Sequence, residues 1–300
     1  MADYRPAAER LYKAMKGLGT DEATLIDVAA SHTADERLAI AEAFAGLYGD
    51  TLEKWLKKEL SGHLEKLMVQ LFKGRYQMWA QYLDDAVRGA GTDEKLLIEM
   101  IFLMSDQDQQ RVEVEYRKLF NKDLTKTIEG DISIGHWAKL IRAWLHAKND
   151  APANPEKIAD DLWAAAKGAG TDEQVFMQVL ANCQPDVYHQ ACDAFLRKYR
   201  KDVAEVIKRE FSGKSEKAFL AAHYSLFDKR QSIARNLYLS YKGAGTDEAR
   251  LIRQTVLFSD QLRGQQLVEA YKIFGDVVKD TKRDLSGKFE KAVLAVWGLS

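Results

Sequence analysis

Four short glycine-bearing segments carry residue types that can bind a cation through backbone oxygens. Each has Lys or Arg followed by Gly-x-Gly-Thr-Asp-Glu, and the first glycines are Gly17, Gly89, Gly168 and Gly243. Glycine adopts backbone conformations that other residues avoid, so carbonyl oxygens can turn outward. Hard cations such as calcium take six to eight oxygen ligands, and backbone carbonyls can supply several of them. The four segments are therefore candidate cation-binding loops.

A carboxylate follows each loop at a nearly constant distance. Between the loop threonine and this acid lie 38 residues in the first three copies and 37 in the fourth. The threonine–acid pairs are Thr20 with Glu59, Thr92 with Asp131, Thr171 with Glu210, and Thr246 with Asp284. One carboxylate could fix an ion already held by three carbonyls and leave two positions for water or a lipid phosphate. This arrangement predicts an ion that bridges the protein and a membrane.

The loops and acids mark an internal repeat, which is the first feature to establish in a sequence of this kind. The first glycines are 72, 79 and 75 residues apart, so the chain divides into four units of about 75 residues. We assign the repeats to residues 1–74, 75–147, 155–229 and 230–300, with a linker at 148–154. The linker lies in the segment AKNDAPANPE, which holds both mid-chain prolines. We interpret this segment as a divide between two halves of the molecule.

Between these markers, apolar residues recur every three or four positions, which is the period of an amphipathic helix. No stretch shows the sustained alternation of a strand. The start signals predict about five helices per unit, and those of the first unit are expected near 4–15, 21–30, 35–48, 51–60 and 64–73. Thr20 and its three counterparts are expected to cap the second helix of each unit. The predicted fold class is all-α, with four homologous five-helix repeats.

The four copies of loop and acid resemble the annexin family over essentially the whole chain. High-affinity calcium sites of that family have Lys/Arg-Gly-x-Gly-Thr, then 38 residues, then Asp or Glu. The resemblance implies a curved disc with Ca2+ as cofactor on its convex face and reversible binding to anionic, phosphatidylserine-type membranes. By position, it implies three carbonyl ligands and one carboxylate per site: Met15, Gly17, Gly19 and Glu59; Val87, Gly89, Gly91 and Asp131; Ala166, Gly168, Gly170 and Glu210; Tyr241, Gly243, Gly245 and Asp284.

The cation before each first glycine could pair with anionic headgroups beside a bridging ion. These residues are Lys16, Arg88, Lys167 and Lys242. The resemblance also implies weaker accessory sites, which use the loop threonine carbonyl and the Glu two positions later: Glu22, Glu94, Glu173 and Glu248.

Two repeats depart from the pattern. In the second repeat, Ile134 is inserted before Gly135, so the geometry of that turn is expected to differ. In the fourth repeat, one residue is missing between loop and acid, and we place the loss near the segment 273–275. The fourth site is therefore expected to be the least regular.

The overall composition argues against several other classes of protein. The 44 basic and 45 acidic residues give a net charge of −1, without the basic excess of a nucleic-acid binder. No apolar run is long enough for a transmembrane helix, and the start lacks the pattern of a signal peptide. Cys183 and Cys192 are predicted to be buried thiols in a reducing setting. We expect a cytoplasmic protein, peripheral on membranes when calcium rises, monomeric in solution and able by resemblance to assemble on membranes.

Several alternatives stay open on sequence grounds. A glycine loop at a helix start can bind phosphate directly, although the Asp-Glu pair after each loop would repel it. A helical scaffold with a cytoskeletal or other protein partner is a second alternative, and an ion channel is a third. The six histidines show no ligand spacing, and no Ser/His/Asp or Cys/His set is identifiable. The sequence gives no positive argument for an enzyme.

Overall fold

A computed structural model describes residues 3–147, 154–167 and 170–299 of the chain. Within these residues it contains twenty α-helices and no strand. The all-α prediction and the predicted five helices per repeat are confirmed. Gly168, a predicted calcium ligand, and most of the predicted linker lie outside the described residues. Among the described helices, none combines the length and the apolar character needed to cross a bilayer.

The helices follow one another in four series of five. The first series is α1 (Arg5–Met15), α2 (Glu22–Ala30), α3 (Ala34–Tyr48), α4 (Leu52–Glu59) and α5 (Gly62–Leu71). The second is α6 (Arg75–Val87), α7 (Glu94–Ile101), α8 (Asp106–Phe120), α9 (Leu124–Asp131) and α10 (His136–Leu145). The third is α11 (Pro155–Ala165), α12 (Glu173–Asn182), α13 (Pro185–Tyr199), α14 (Val203–Glu210) and α15 (Gly213–Phe227). The fourth is α16 (Lys229–Tyr241), α17 (Glu248–Phe258), α18 (Gln265–Tyr271), α19 (Val277–Asp284) and α20 (Gly287–Val296).

The second helix of every series is capped by aspartate, and the prediction of a threonine cap is wrong. The Asp21 carboxylate accepts a hydrogen bond from the Thr24 amide at 3.0 Å. The equivalent caps are Asp93, Asp172 and Asp247. Both residue types can satisfy free N–H groups at a helix start. Because the aspartate takes this role, the threonine hydroxyl before it is available for another partner.

The chain forms two compact units, residues 1–79 with 233–300 and residues 80–232. The first unit contains most of the first and fourth repeats, where α2 packs on α20 and α5 packs on α17. The second contains most of the second and third repeats, where α10 packs on α12 and α15. Ala147 and Asn154, which flank the undescribed linker residues, both fall in the second unit. The interpretation of the linker as a divide between halves is therefore wrong.

Large apolar side chains fill the interior of each unit. In the first unit, Trp79 and Phe258 are buried and meet edge to face at 5.4 Å. The indole N–H of buried Trp297 donates to Thr255 Oγ1 at 2.9 Å, which satisfies its one polar atom. In the second unit, the buried Tyr188 hydroxyl lies 2.7 Å from His223 Nδ1. Burial of such side chains stabilises each unit by about 1.5–3 kcal/mol per residue.

Both cysteines are free and buried, as predicted. Burial raises the pKa of the Cys183 thiol to about 11 and that of the Cys192 thiol to about 12. Since the thiolate is the reactive form, we expect neither thiol to react with Ellman's reagent at pH 8 in the native protein. In denaturant, two thiols per chain should react. Rapid reaction without denaturant would contradict the burial of these residues.

Candidate calcium-binding loops

Each candidate loop joins the first and second helices of its repeat and is closed by one backbone hydrogen bond. The amide of the capping aspartate donates to a carbonyl near the end of the first helix. The bonds are Asp21 to Ala14 at 2.9 Å, Asp93 to Ala86 at 2.7 Å, Asp172 to Ala165 at 2.9 Å, and Asp247 to Ser240 at 2.8 Å. An equivalent backbone hydrogen bond therefore closes each of the four loops.

The loop glycines that the structure describes adopt positive φ angles, which residues with a Cβ rarely accept. Gly17 has φ of 118° and Gly19 has φ of 85°, and Gly243 reaches 127°. A Cβ built on any of these three would meet no atom within 4 Å. Glycine is thus required at these positions by the backbone conformation and not by crowding.

Most of the predicted carbonyl ligands have no hydrogen-bond partner within the described part of the chain. This holds for the first, second and fourth loops, at Met15, Gly17, Gly19, Val87, Gly89, Gly91, Tyr241, Gly243 and Gly245. In the third loop, the Ala166 carbonyl accepts a hydrogen bond from Arg209 Nη2 at 3.5 Å. The glycines of the first loop are exposed, and Leu18 between them is fully exposed. Loop carbonyls without a protein partner are suitable ligands for an ion.

In three repeats the loop threonine contacts the predicted acid directly. The hydroxyl of Thr20 donates to Glu59 Oε2 at 2.7 Å, and that of Thr171 donates to Glu210 Oε2 at 2.7 Å. The hydroxyl of Thr92 lies 2.6 Å from Asp131 Oδ2. The structure therefore brings the loop and the distant carboxylate together, as the spacing predicts. It also assigns the threonine hydroxyl to the acid, a role that sequence reasoning missed.

The fourth repeat lacks this contact. Thr246 Oγ1 lies 3.4 Å from the backbone carbonyl of Asp284, and no bond joins it to the carboxylate in the described residues. The third helix, α18, has 7 residues, whereas α3, α8 and α13 each have 15. After α18, the amides of Phe274 and Gly275 both donate to the Tyr271 carbonyl. This altered connection includes the place predicted for the missing residue.

Loop and acid of the fourth repeat still flank one open cleft of about 600 Å³. Its walls include Gly243, Gly245 and Asp284, together with Arg283 and Asp280. The Asp284 carboxylate accepts a hydrogen bond from Arg283 Nε at 2.7 Å. The fourth site is thus assembled in outline, but its carboxylate is held by arginine and not by the loop.

The turn after the acid differs in the second repeat, as the inserted residue predicts. Gly62, Gly213 and Gly287 have φ of 60–65° at this turn, whereas Gly135 has φ of 151°. A Cβ on Gly135 would lie 3.0 Å from the Trp137 ring, so glycine is also required by close approach. The inserted Ile134 is 95% exposed. Asp131 nevertheless reaches Thr92, so the insertion leaves the loop–acid contact intact.

The predicted headgroup-binding cations lie at the loops but differ in their contacts. Lys16 Nζ is 5.3 Å from the centroid of the Tyr12 ring, and Lys242 Nζ is 5.7 Å from that of Tyr238. Arg88 Nη2 instead pairs with Asp85 Oδ1 at 2.7 Å. These are surface interactions, which contribute little to stability and can be exchanged for other partners.

Each of the four accessory acids lies beside a basic residue of another repeat in the same unit. Glu22 lies 3.2 Å from Lys288, and Glu94 pairs with Lys214. In the other two pairs a histidine stands where the lysine stands in the first two. The ring nitrogen of His63 lies 3.9 Å from the Glu248 carboxylate, and that of His136 lies 3.6 Å from the Glu173 carboxylate. Each of these lysines and histidines directly follows the glycine at the start of a fifth helix. The accessory acids therefore connect repeats, a role that the sequence pattern alone did not indicate.

The donor set of each candidate site consists of oxygen atoms. Within the described ranges, no group of three or more His, Cys, Asp or Glu side chains could hold a metal ion. Any ion at these loops would depend on backbone carbonyls and one carboxylate. Carbonyl, carboxylate and water oxygens suit calcium or magnesium, and a flexible set of more than six ligands favours calcium. The residues present fit a calcium ion.

Four five-helix repeats, each with a glycine loop beside an acid from its fourth helix, define a helical repeat protein with oxygen-donor sites. The sequence profile of the annexin family matches residues 6–71, 79–144 and 157–222. Human annexin A13 is 35% identical over 299 residues, which cover 96% of this chain and 93% of that protein. The chain belongs to the annexin family.

Solved structures agree with this assignment. Chicken annexin V in complex with Zn2+ superposes with a TM-score of 0.88 at 33% identity, and the match covers 100% of this chain and 96% of that one. Calcium-bound annexin (Sm)1 gives a TM-score of 0.83 at 25% identity, covering 99% and 90% of the two chains.

The threonine–acid contact can be tested without any ion. We expect Thr92→Val to lower the free energy of unfolding by about 1–2 kcal/mol, because it leaves the Asp131 carboxylate without its hydroxyl donor. Thr246→Val is the matched control, since Thr246 does not contact the Asp284 carboxylate, and it should change the value by less than about 0.5 kcal/mol. Urea unfolding in chelator measures both. Equal effects of the two substitutions would contradict the assigned role.

Proposed function

We propose that this annexin binds calcium at its four loops and thereby attaches reversibly to anionic phospholipid membranes. Its family membership supports calcium-dependent phospholipid binding in general. The observation that carries the specific proposal is the contact between loop threonine and distal acid in three repeats, at 2.6–2.7 Å. In the first two repeats it holds a carboxylate next to loop carbonyls that have no hydrogen-bond partner among the described residues.

In the proposed site, three loop carbonyls and one carboxylate hold the ion. For the first repeat these are Met15, Gly17 and Gly19 with Glu59, and the other repeats use the residues at the same positions. The ion supplies a double positive charge and open coordination positions at the protein surface. A lipid phosphate oxygen can occupy such a position, which links protein and membrane through the ion. The calcium-bound state of annexin (Sm)1 is consistent with this assignment.

The charge balance of the chain favours a switch controlled by calcium. At a net charge of −1, the ion-free protein gains little from a negative membrane surface. Four bound ions would add eight positive charges, and each positive charge near such a surface contributes about 1 kcal/mol. Several weak sites acting on one surface produce a strong overall attachment. We therefore expect binding to rise steeply with calcium and to reverse with chelator.

The loop cations would support this attachment once the ion is present. Lys16 and Lys242 lie over tyrosine rings at the surface and can exchange this contact for a lipid phosphate. Lys167 has the same place in the third loop. We propose a peripheral, non-enzymatic role inside the cell, with the protein monomeric until it reaches a membrane.

The experiment is cosedimentation with phosphatidylserine-containing vesicles across a calcium titration. Neutralising the four acids together should abolish binding while leaving the helical fold intact by circular dichroism. The substitutions are Glu59→Gln, Asp131→Asn, Glu210→Gln and Asp284→Asn.

A matched control neutralises four exposed acids far in sequence from these positions. We choose Glu9→Gln, Asp35→Asn, Glu42→Gln and Asp186→Asn, which are exposed. This control has the same net charge as the test variant and should bind like the natural sequence. Undiminished binding of the test variant would remove the carboxylate assignment. Calcium-independent sedimentation with cytoskeletal filaments, without any vesicle binding, would favour the scaffold alternative.

A further inference from the structure

An arginine side chain contacts two of the predicted ligands of the third candidate site. Arg209 directly precedes Glu210 at the end of α14. Its Nε lies 2.7 Å and its Nη2 lies 2.6 Å from Glu210 Oε1. Nη2 also donates to the Ala166 carbonyl of the loop at 3.5 Å. Two of the ligands proposed for calcium, one carboxylate and one carbonyl, are therefore already engaged by a cation of the protein.

The remaining oxygen of this carboxylate is also in use. Glu210 Oε2 accepts the Thr171 hydroxyl, so both oxygens of Glu210 have protein donors. The acid of the third site is thus bound by side chains of the protein itself.

We propose that Arg209 is a resident competitor of calcium at the third site, which must leave before an ion can bind there. The inference rests on the proposed calcium function of these loops. A guanidinium and a calcium ion cannot both approach Glu210 Oε1, because their positive charges repel at that distance. Because calcium must first displace Arg209, the energetic cost of this displacement lowers the calcium affinity of the third site relative to a site without such a cation.

The other repeats differ at the residue before the acid, which provides internal comparisons. In the first repeat, Lys58 is 77% exposed and its Nζ lies 3.7 Å from Glu59, so it is a loose neighbour. In the fourth, Arg283 pairs with Asp284 and also with Asp280 of its own helix. In the second, the residue is Gly130, which has no side chain. Only the second acid thus lacks a flanking cation.

A simpler interpretation is that a basic residue at the end of a helix merely favours the helix dipole. That interpretation accounts for Lys58, which stays exposed. It does not account for the Arg209 contact with Ala166, because Ala166 belongs to the loop and not to α14. The bond across to the loop is the observation that places Arg209 inside the candidate site.

Gly130 allows an arginine to be introduced before the acid of the second repeat. It lies inside α9, its φ is not positive, and a Cβ there would meet no atom within 4 Å. An arginine in a helix interior is also more favourable than glycine. Gly130→Arg should therefore fold normally while placing a guanidinium before Asp131.

The test uses full-length chains with one intact acid each, titrated with calcium alone by calorimetry. In the third-site background, which carries Glu59→Gln, Asp131→Asn and Asp284→Asn, the further change Arg209→Gln should tighten calcium binding about 1.4- to fivefold, the range of one exposed ion pair. In the second-site background, which carries Glu59→Gln, Glu210→Gln and Asp284→Asn, the further change Gly130→Arg should weaken it by a similar factor. Unchanged or weaker binding after Arg209→Gln would overturn the proposal.

A second readout needs no bound ion. In nitrogen-resolved NMR spectra in chelator, the Arg209 Nε–H signal should be protected from solvent exchange, and Glu210→Gln should remove that protection. Added calcium should remove it as well. Calcium binding that leaves the signal protected would overturn the competition but not the proposed function. Absence of calcium binding in both backgrounds would instead overturn the proposed function, and the competition with it.

Discussion

In the first three repeats, one hydrogen bond joins the two parts of the candidate site. It runs from the loop threonine hydroxyl to a carboxylate 39 positions later. It requires that three helices and their connections bring the end of the fourth helix back to the first loop. In the first three repeats, the third helix has 15 residues and the fourth has 8, so the return distance is constant. In the fourth repeat, α18 is shortened to 7 residues, and Asp284 loses the contact with Thr246.

Neighbouring residues of the loop have different structural roles. The glycines supply backbone conformations, the threonine binds the acid, and the aspartate both caps the next helix and closes the loop with its amide. In the first two repeats, the following glutamate pairs with a lysine of another repeat in the same unit. In the first three repeats the threonine, the aspartate and the glutamate of this motif each contact a different partner, so a substitution at any one of them removes a different contact.

Much of the fold and of the site could be predicted from the sequence, because helical periodicity and the repeat are local signals. The constant spacing also predicted that Thr20 and Glu59 approach one another. The role of the threonine was missed, since Thr and Asp are both good helix caps and the pattern does not distinguish them. The pairing of the repeats depends on packing between distant helices, so the linker was misinterpreted. Arg209 was not foreseen, because adjacent residues inside a helix do not face each other, and its contact arises only where α14 ends.

The most direct test of the central claim is the location of ions in crystals of the protein grown with calcium. Anomalous diffraction should show peaks about 2.3–2.6 Å from loop carbonyl oxygens, each also next to the acid of its repeat, with Asp131 among the occupied sites. Displacement of the Arg209 side chain should accompany any peak beside Glu210. Ions bound only elsewhere on the surface, with these loops and acids unchanged at saturating calcium, would contradict the account.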